Sequence, residues 1–282
     1  MSRPGPDEVR AVSRRLRARA DGMLAEAWFM PEAQVGFTEL GVGAAATMFG
    51  GRIGPLGAIP GAAAAALLVP VRPESVASAV DEAWSATTPE ALLETRERAC
   101  TGYVRAIIRS VDGPDTDGVD RAAELARRAA DAGPVAGHPL AAAHRARGWT
   151  GDSIVDLWRA CERIRERRHE SHRNAWTAAG LDPCELCVVT DLWRGPLISS
   201  VSGSWSADEQ AAARDRLGSR GLTADDGLTV AGHALREAIE EATDAQESDV
   251  VAALGADADE LLARLAPWST AVVEWAGRQL AG

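Results

Sequence analysis

Basic side chains interrupt the apolar face of a long predicted helix between residues 152 and 179. At about 100° per residue, the apolar positions of its first half form one stripe: Ile154, Leu157, Trp158, Cys161 and Ile164. Further along, the same stripe contains Arg165, Arg168 and His172 before apolar residues return at Ala175, Trp176 and Ala179. Three cationic or titratable groups are therefore expected on a face that should be buried.

Two explanations of these polar residues remain open. Because an unpaired buried charge is costly, Arg165 and Arg168 either reach solvent or pair with acids of neighbouring helices, with His172 a hydrogen-bonded core residue. Alternatively, they line a cavity in which guanidinium groups bind a carboxylate or phosphate. There His172 is the predicted acid–base residue, and His144, from a short preceding helix, is the second catalytic candidate.

Three further residues are candidates for contacting the same substrate. Trp158 and Trp176 flank the polar stretch on one helix face, where they either anchor the core or sandwich a flat ligand. Arg52 lies in a Gly/Pro-rich segment that predicts a loop, and it is a candidate anion contact. An exposed loop arginine is the alternative interpretation.

A metal site on the same helix is a further hypothesis. His169 and His172 are spaced i, i+3 and Glu166 is near, a donor set that suits zinc or non-haem iron. The glutamate falls largely on the opposite face, however, and the neighbouring arginines disfavour a cation. We therefore predict no cofactor, although neither a metal nor haem is excluded. Cys184 and Cys187 form a lone CxxC motif and are expected to pack as small apolar groups.

The chain is predicted to be mainly α-helical, in three regions: residues 1–112, 113–198 with the cavity, and 199–282. The sequence of the last region predicts a winged-helix-like module with a short two-stranded wing. Ser206 and Glu209 form a capping box that opens a helix. Two short strands follow around a turn at Asp225–Gly227, and another helix begins near His233.

The charge of this module argues against DNA as a partner. Residues 199–282 contain six arginines against fifteen acidic residues, which accounts for nine of the eleven excess negative charges of the chain. Asp225 and Asp226 occupy the wing tip, where a DNA-binding wing would offer basic groups. Because phosphate contacts supply most non-specific affinity for DNA, such a surface should repel a duplex.

No membrane segment or export signal is predicted. The longest apolar run, Gly61 to Val71, is shorter than the roughly 20 residues that span a bilayer, and the N-terminus lacks a signal-peptide pattern. Four cysteines fit a reducing compartment. We therefore expect a cytoplasmic protein.

Several motifs resemble those of the SalK/EvbL-like helix-turn-helix family of actinobacteria, which is distantly related to MarR-type winged-helix regulators. They lie at residues 28–33, 48–58, 83–90, 139–145, 157–158, 165–172 and 220–232. This resemblance covers most of the chain and implies a helical fold with a winged helix. It implies little about function, because most of the family is uncharacterised.

The leading hypothesis is a small-molecule-binding protein on a winged-helix-derived scaffold. As an enzyme of secondary metabolism it would carry out elimination, cyclisation or isomerisation on an anionic or aromatic substrate. The alternative is a MarR-type regulator that responds to a ligand, and a non-catalytic carrier is a third hypothesis. A homodimer is left open.

Overall fold

Helices make up nearly all regular structure in the computed structural model, which describes residues 3–24, 31–113, 117–194, 202–225 and 227–281. The first half contains α1 (Pro6–Met23), α2 (Pro31–Glu39), α3 (Ala44–Ile53), α4 (Gly61–Leu67), α5 (Pro73–Ala86), α6 (Pro89–Asp112) and α7 (Asp117–Ala130). The second half contains α8 (Pro139–Ala146), α9 (Ser153–Ala178), α10 (Pro183–Arg194), α11 (Ala207–Ser219), β1 (Thr223–Ala224), β2 (Gly227–Leu228), α12 (Val230–Ala245), α13 (Ser248–Leu254) and α14 (Ala258–Ala281). The prediction of a mainly helical chain is confirmed.

Helix α9 is the predicted long helix, and it lies at the centre of the structure. Asp152 caps it: Oδ1 accepts hydrogen bonds from the backbone N–H groups of Ile154, at 2.9 Å, and Val155, at 3.1 Å. The helix packs against α1, α6, α7, α8 and α12. Because neighbours surround it, α9 buries charged residues as well as its apolar stripe.

Three apolar clusters form the core. The largest contains residues of α1, α6, α7, α9, α13 and α14, so it draws on each of the three predicted regions. The second joins the end of α9 to α10, α11 and α12 around Trp176, Leu217 and Ile239. The third packs α3, α4 and α5 together with Leu140 of α8. The division into three regions stays a prediction.

A two-stranded antiparallel sheet separates α11 from α12. The Ser206 hydroxyl accepts from the backbone N–H of Glu209, whose carboxylate accepts from the Ser206 N–H, so the predicted capping box is present. Thr223 then pairs with Leu228 across the two strands, and Thr229 caps α12 by accepting from the Gly232 N–H at 3.1 Å. Helix, two short strands and helix therefore occur in the predicted order.

Parts of two sequence motifs fall outside the described residues. Helix α1 ends at Met23, and residues 25–30, which include the start of the motif at residues 28–33, are not described. Asp226 at the predicted wing tip is also outside, whereas Asp225 lies in the turn after β1. Within the described ranges, no helix is long and apolar enough to cross a membrane.

We predict that Gly232→Ala destabilises the protein by about 1–3 kcal/mol, the usual cost of overpacking. A Cβ at this position would collide with the backbone carbonyl oxygen of Leu222, which cannot move without separating α12 from the strands. Gly227→Ala is the matched control, because no atom lies within 4 Å of a Cβ built there. Urea unfolding of both variants tests this, and equal midpoints would contradict it.

Candidate functional site

A cavity of about 360 Å³ lies beside the polar half of α9, between α1, α10 and α12. Five of the sequence candidates line it, namely Arg52, Arg165, Arg168, His169 and His172. Arginines reach it from five helices: Arg17, Arg52, Arg165, Arg168, Arg194 and Arg236. The acidic residues in its lining are Asp21, Asp191 and Glu240. The lining therefore carries more positive than negative groups.

Arg52 and Arg165 share one buried carboxylate behind the cavity wall. Arg52 donates from Nε to Glu166 Oε1 at 3.0 Å and from Nη2 to Oε2 at 2.8 Å, and Arg165 donates from Nη2 to Oε1 at 2.9 Å. Burial alone would raise the pKa of Glu166, but the two guanidinium groups outweigh it and hold that pKa well below its ordinary value. Arg52 is thus on α3, where it joins that helix to α9, rather than in the predicted loop.

Arg168 is buried and paired with acids of α12. Its Nη2 lies 2.8 Å from Asp244 Oδ1 and 3.6 Å from Glu240 Oε2, and Asp244 also accepts from Arg14 Nε of α1 at 2.8 Å. Arg168 therefore pairs with acids of a neighbouring helix and also lines a cavity, and its binding of a ligand there stays a prediction.

The least compensated cations lie at the α10–α12 end of the cavity. Arg236 is buried and pairs through Nη2 with Glu240 Oε1 at 2.6 Å, while Nε and Nη1 have no hydrogen-bond partner in the part of the chain that is described. Arg194 has no ion-pair partner in those ranges. Burial lowers the pKa of Arg194, and the nearby Arg17 and Arg236 lower it further. A bound anion would relieve this repulsion.

Sequence reasoning missed Arg17, Arg194 and Arg236, because they come from α1, α10 and α12 rather than α9. Arg17 lies in an arginine-rich helix, where arginines usually face solvent, and it pairs with Asp21 at 3.1 Å. A signal for Arg236 did exist. It is the single basic residue of an otherwise acidic helix, and such an isolated charge indicates a specific partner.

Two neutral imidazoles face this cationic surface. His172 Nδ1 lies 3.1 Å from Thr243 Oγ1, and His169 Nε2 lies 3.2 Å from the carbonyl oxygen of Leu67. Burial lowers the pKa of His172 to about 3, Glu240 opposes this effect, and Arg236 and Arg17 add to it. Burial and then Arg52 lower the pKa of His169 to about 4. Without a ligand, both side chains are neutral at pH 7 and poor proton donors.

His144 lies in a separate buried network rather than in the cavity lining. Its Nδ1 is 4.0 Å from Glu162 Oε2, and Glu162 pairs with Arg96 and lies near Arg147. Burial lowers the pKa of His144 to about 4, although Glu162 opposes the shift. The structure therefore does not bring the two predicted catalytic histidines together at one cavity.

The two tryptophans proposed to hold a ligand are also core residues. Trp158 belongs to the largest apolar cluster, where the guanidinium carbon of Arg96 lies 4.9 Å from its ring centroid. Trp176 belongs to the cluster that joins α9 to α10 and α12. Neither lines the cavity, whose apolar surface comes instead from Pro70, Leu186 and Cys187.

The metal candidates do not converge. Among the residues that can be described, no group of three or more His, Cys, Asp and Glu side chains is placed to hold a metal ion. Both oxygens of Glu166 accept from arginines, and His169 is directed at a backbone carbonyl. Cys184 and Cys187 are buried free thiols, and burial raises their pKa values to about 11 and about 12.

We predict that His169→Gln makes stability less dependent on pH between about 6.5 and 4.5. As pH falls, the unfolded chain binds a proton on His169 that the folded protein, with its lowered pKa, does not. Wild type therefore loses up to about 1.4 kcal/mol per pH unit from this residue. Glutamine keeps an N–H for Leu67, and Arg52, Glu166 and Arg173 remain as the charged groups around it.

Urea unfolding at several pH values measures this slope. The other buried histidines add to the slope in both proteins, and Glu170 and Glu247, whose pKa values burial raises, oppose it equally in both. His233→Gln is the control, because His233 is exposed on α12. Identical slopes for wild type and His169→Gln would contradict the prediction.

Comparison with known proteins gives one match. A model of a helix-turn-helix family matches residues 13–277, which include every residue that lines the cavity and the helices and strands from α10 to α12. The comparisons with curated proteins and with solved structures find no match. Because the family match covers most of the chain, the protein belongs to this helix-turn-helix family.

Proposed function

We propose that this protein binds a small organic anion in the cavity between α1, α9, α10 and α12. The observation that carries the proposal is the excess of guanidinium groups: six arginines against three acids in the lining. Adding Glu166 and Asp244, which pair with lining arginines from behind, still leaves one more arginine than acids. Two of these arginines, Arg168 and Arg236, are buried, and an excess of positive charge around a cavity favours an anion as its ligand.

The size and the apolar wall of the cavity favour an organic ligand. About 360 Å³ is within the range of small-molecule sites, and Pro70, Leu186 and Cys187 offer a surface on which a ring or short carbon chain can pack. Arginines then supply the few polar contacts that fix orientation.

Acid–base catalysis is a second candidate, favoured by the position of His172 in the lining. A bound anion beside Arg236 and Arg17 would offset two of the groups that lower its pKa and bring His172 closer to the range of a useful base. Elimination, cyclisation or isomerisation in secondary metabolism would need such a base. Turnover of a bound acid that is lost in His172→Asn would support this role.

A MarR-type regulator with a winged helix is the alternative, and membership of a helix-turn-helix family favours it weakly. In α11, the helix that would enter the DNA groove, Arg216 pairs with Glu185 at 3.0 Å, and Arg220, directly after that helix, pairs with the same carboxylate at 3.2 Å. These cations are therefore already neutralised within the protein. We propose that the winged-helix-like module forms part of the ligand site and does not bind DNA.

We predict that Arg194→Met weakens binding of benzoate, used as the probe, at least tenfold. The substitution removes a charge-assisted hydrogen bond worth about 1.5–3 kcal/mol without leaving a described carboxylate unpaired. Arg214→Met is the matched control: Arg214 is exposed on α11 and no ion pair to it is found in the described residues.

Isothermal titration calorimetry at constant ionic strength measures both affinities. Wild type and Arg214→Met should bind benzoate equally. If benzoate does not bind, or if the two variants lose the same affinity, then the cavity is not the anion site.

We further predict no tight complex with the promoter of the protein's own gene in a gel-shift titration at low salt. Any retardation should be weak and equal for a scrambled duplex, because the charges of α11 are largely paired. Sequence-dependent binding, released by a small acid, would favour the regulator.

A further inference from the structure

The hydrogen bonds of Thr243 fix the tautomer of His172. Thr243 donates its hydroxyl proton to the carbonyl oxygen of Ile239 at 2.7 Å, so it can only accept from His172. Nδ1 of His172, 3.1 Å away, must therefore carry the proton. In the neutral imidazole, Nε2 is then a bare lone pair, and it has no hydrogen-bond partner among the described residues.

The same argument applies to His169. A carbonyl oxygen only accepts, so His169 Nε2, 3.2 Å from Leu67 O, carries the proton and leaves Nδ1 as an acceptor. Asp191 of α10 also lines the cavity as an acceptor and has no bonded partner in the ranges described. The site therefore has unused acceptors as well as excess cations.

From these two features we infer the chemical class of the ligand: an organic acid that also carries a hydroxyl group. The inference rests on the proposed function. The acid group binds toward Arg194, Arg236 and Arg17, while the hydroxyl donates to Nε2 of His172. Such a molecule satisfies both the donors and the unused acceptors of the cavity lining at once, which a simple carboxylate does not.

An ammonium group is the competing donor, and the charge of the site argues against it. An amino acid would place its ammonium group among six arginines. The lining contains only three acids to offset these charges, and two of the three already pair with lining arginines. A hydroxyl supplies the hydrogen bond without adding positive charge. The site thus selects hydroxy acids over amino acids.

Binding of benzoate and its three hydroxybenzoate isomers at pH 7.5 tests the inference by calorimetry. At least one isomer should bind wild type about three- to tenfold more tightly than benzoate, the size of one neutral hydrogen bond. His172→Asn keeps an N–H for Thr243 but lacks the Nε2 acceptor. It should lose that preference, so that it binds benzoate and every hydroxybenzoate isomer with similar affinity.

His169→Gln is the matched variant, because glutamine can still donate to the carbonyl oxygen of Leu67 and the substitution removes only the unprotonated Nδ1 of His169. His233→Asn is the surface control. Nitrogen-15 NMR of the histidine rings supplies a readout without ligand: His172 should carry its proton on Nδ1. A proton on Nε2 overturns the inference.

Three further outcomes would contradict the hydroxy-acid inference, and one of them would also contradict the proposed function. If benzoate binds in an Arg194-dependent manner but no hydroxybenzoate gains affinity, the proposed function stands and the hydroxy-acid inference fails. If aminomethylbenzoate binds more tightly than every hydroxybenzoate, the donor is an ammonium and the inference also fails. If none of these acids binds, both proposals fail.

Discussion

Burying a helix as charged as α9 requires a partner for nearly every ionic side chain, and this constraint determines the arrangement of the helices around it. Buried residues of α9 include Glu162, Arg163, Glu166, Arg168 and Glu170. Each charge removed from water must be repaid by an opposite charge or by several hydrogen bonds. Helix α3 supplies Arg52, α6 supplies Arg96 and α12 supplies Asp244. The packing of the helices around α9 therefore depends on the ion pairs that they form with it.

The cavity occurs where this compensation is incomplete. On the α3 side, one carboxylate is shared by two arginines. On the α10–α12 side, Arg236 pairs with Glu240, and the nearby Arg194 has no ion-pair partner among the described residues. A protein selected for stability alone could replace such groups by apolar residues at little cost. Their presence beside a void is typical of a site that is completed by a ligand.

The sequence predicted the polar face of α9 and the order of helices and strands after Ser206, because both depend on local periodicity and capping. It also identified Arg52, Arg165, Arg168 and His172 as candidate ligand contacts, and His169 only as a metal candidate; all five line one cavity. It could not find Arg194 or Arg236, since their proximity depends on how α10 and α12 pack against α1. Trp158 and Trp176 lie on the same helix as the site residues but pack in apolar clusters, and His144 of α8 lies in a separate network around Glu162. Periodicity identifies the buried face, and packing alone decides which part of that face borders a void.

Several acidic residues in the last third of the chain form ion pairs with arginines of the first half. Asp244 binds Arg14, Asp259 binds Arg15, and Glu260 binds Arg121, so carboxylates late in the chain meet guanidinium groups made much earlier. During synthesis, α1 emerges long before α12 and α14 and has to remain without these counter-charges until they follow. The contacts of the first helix with α12 and α14 can therefore form only after the ribosome has made nearly the whole chain.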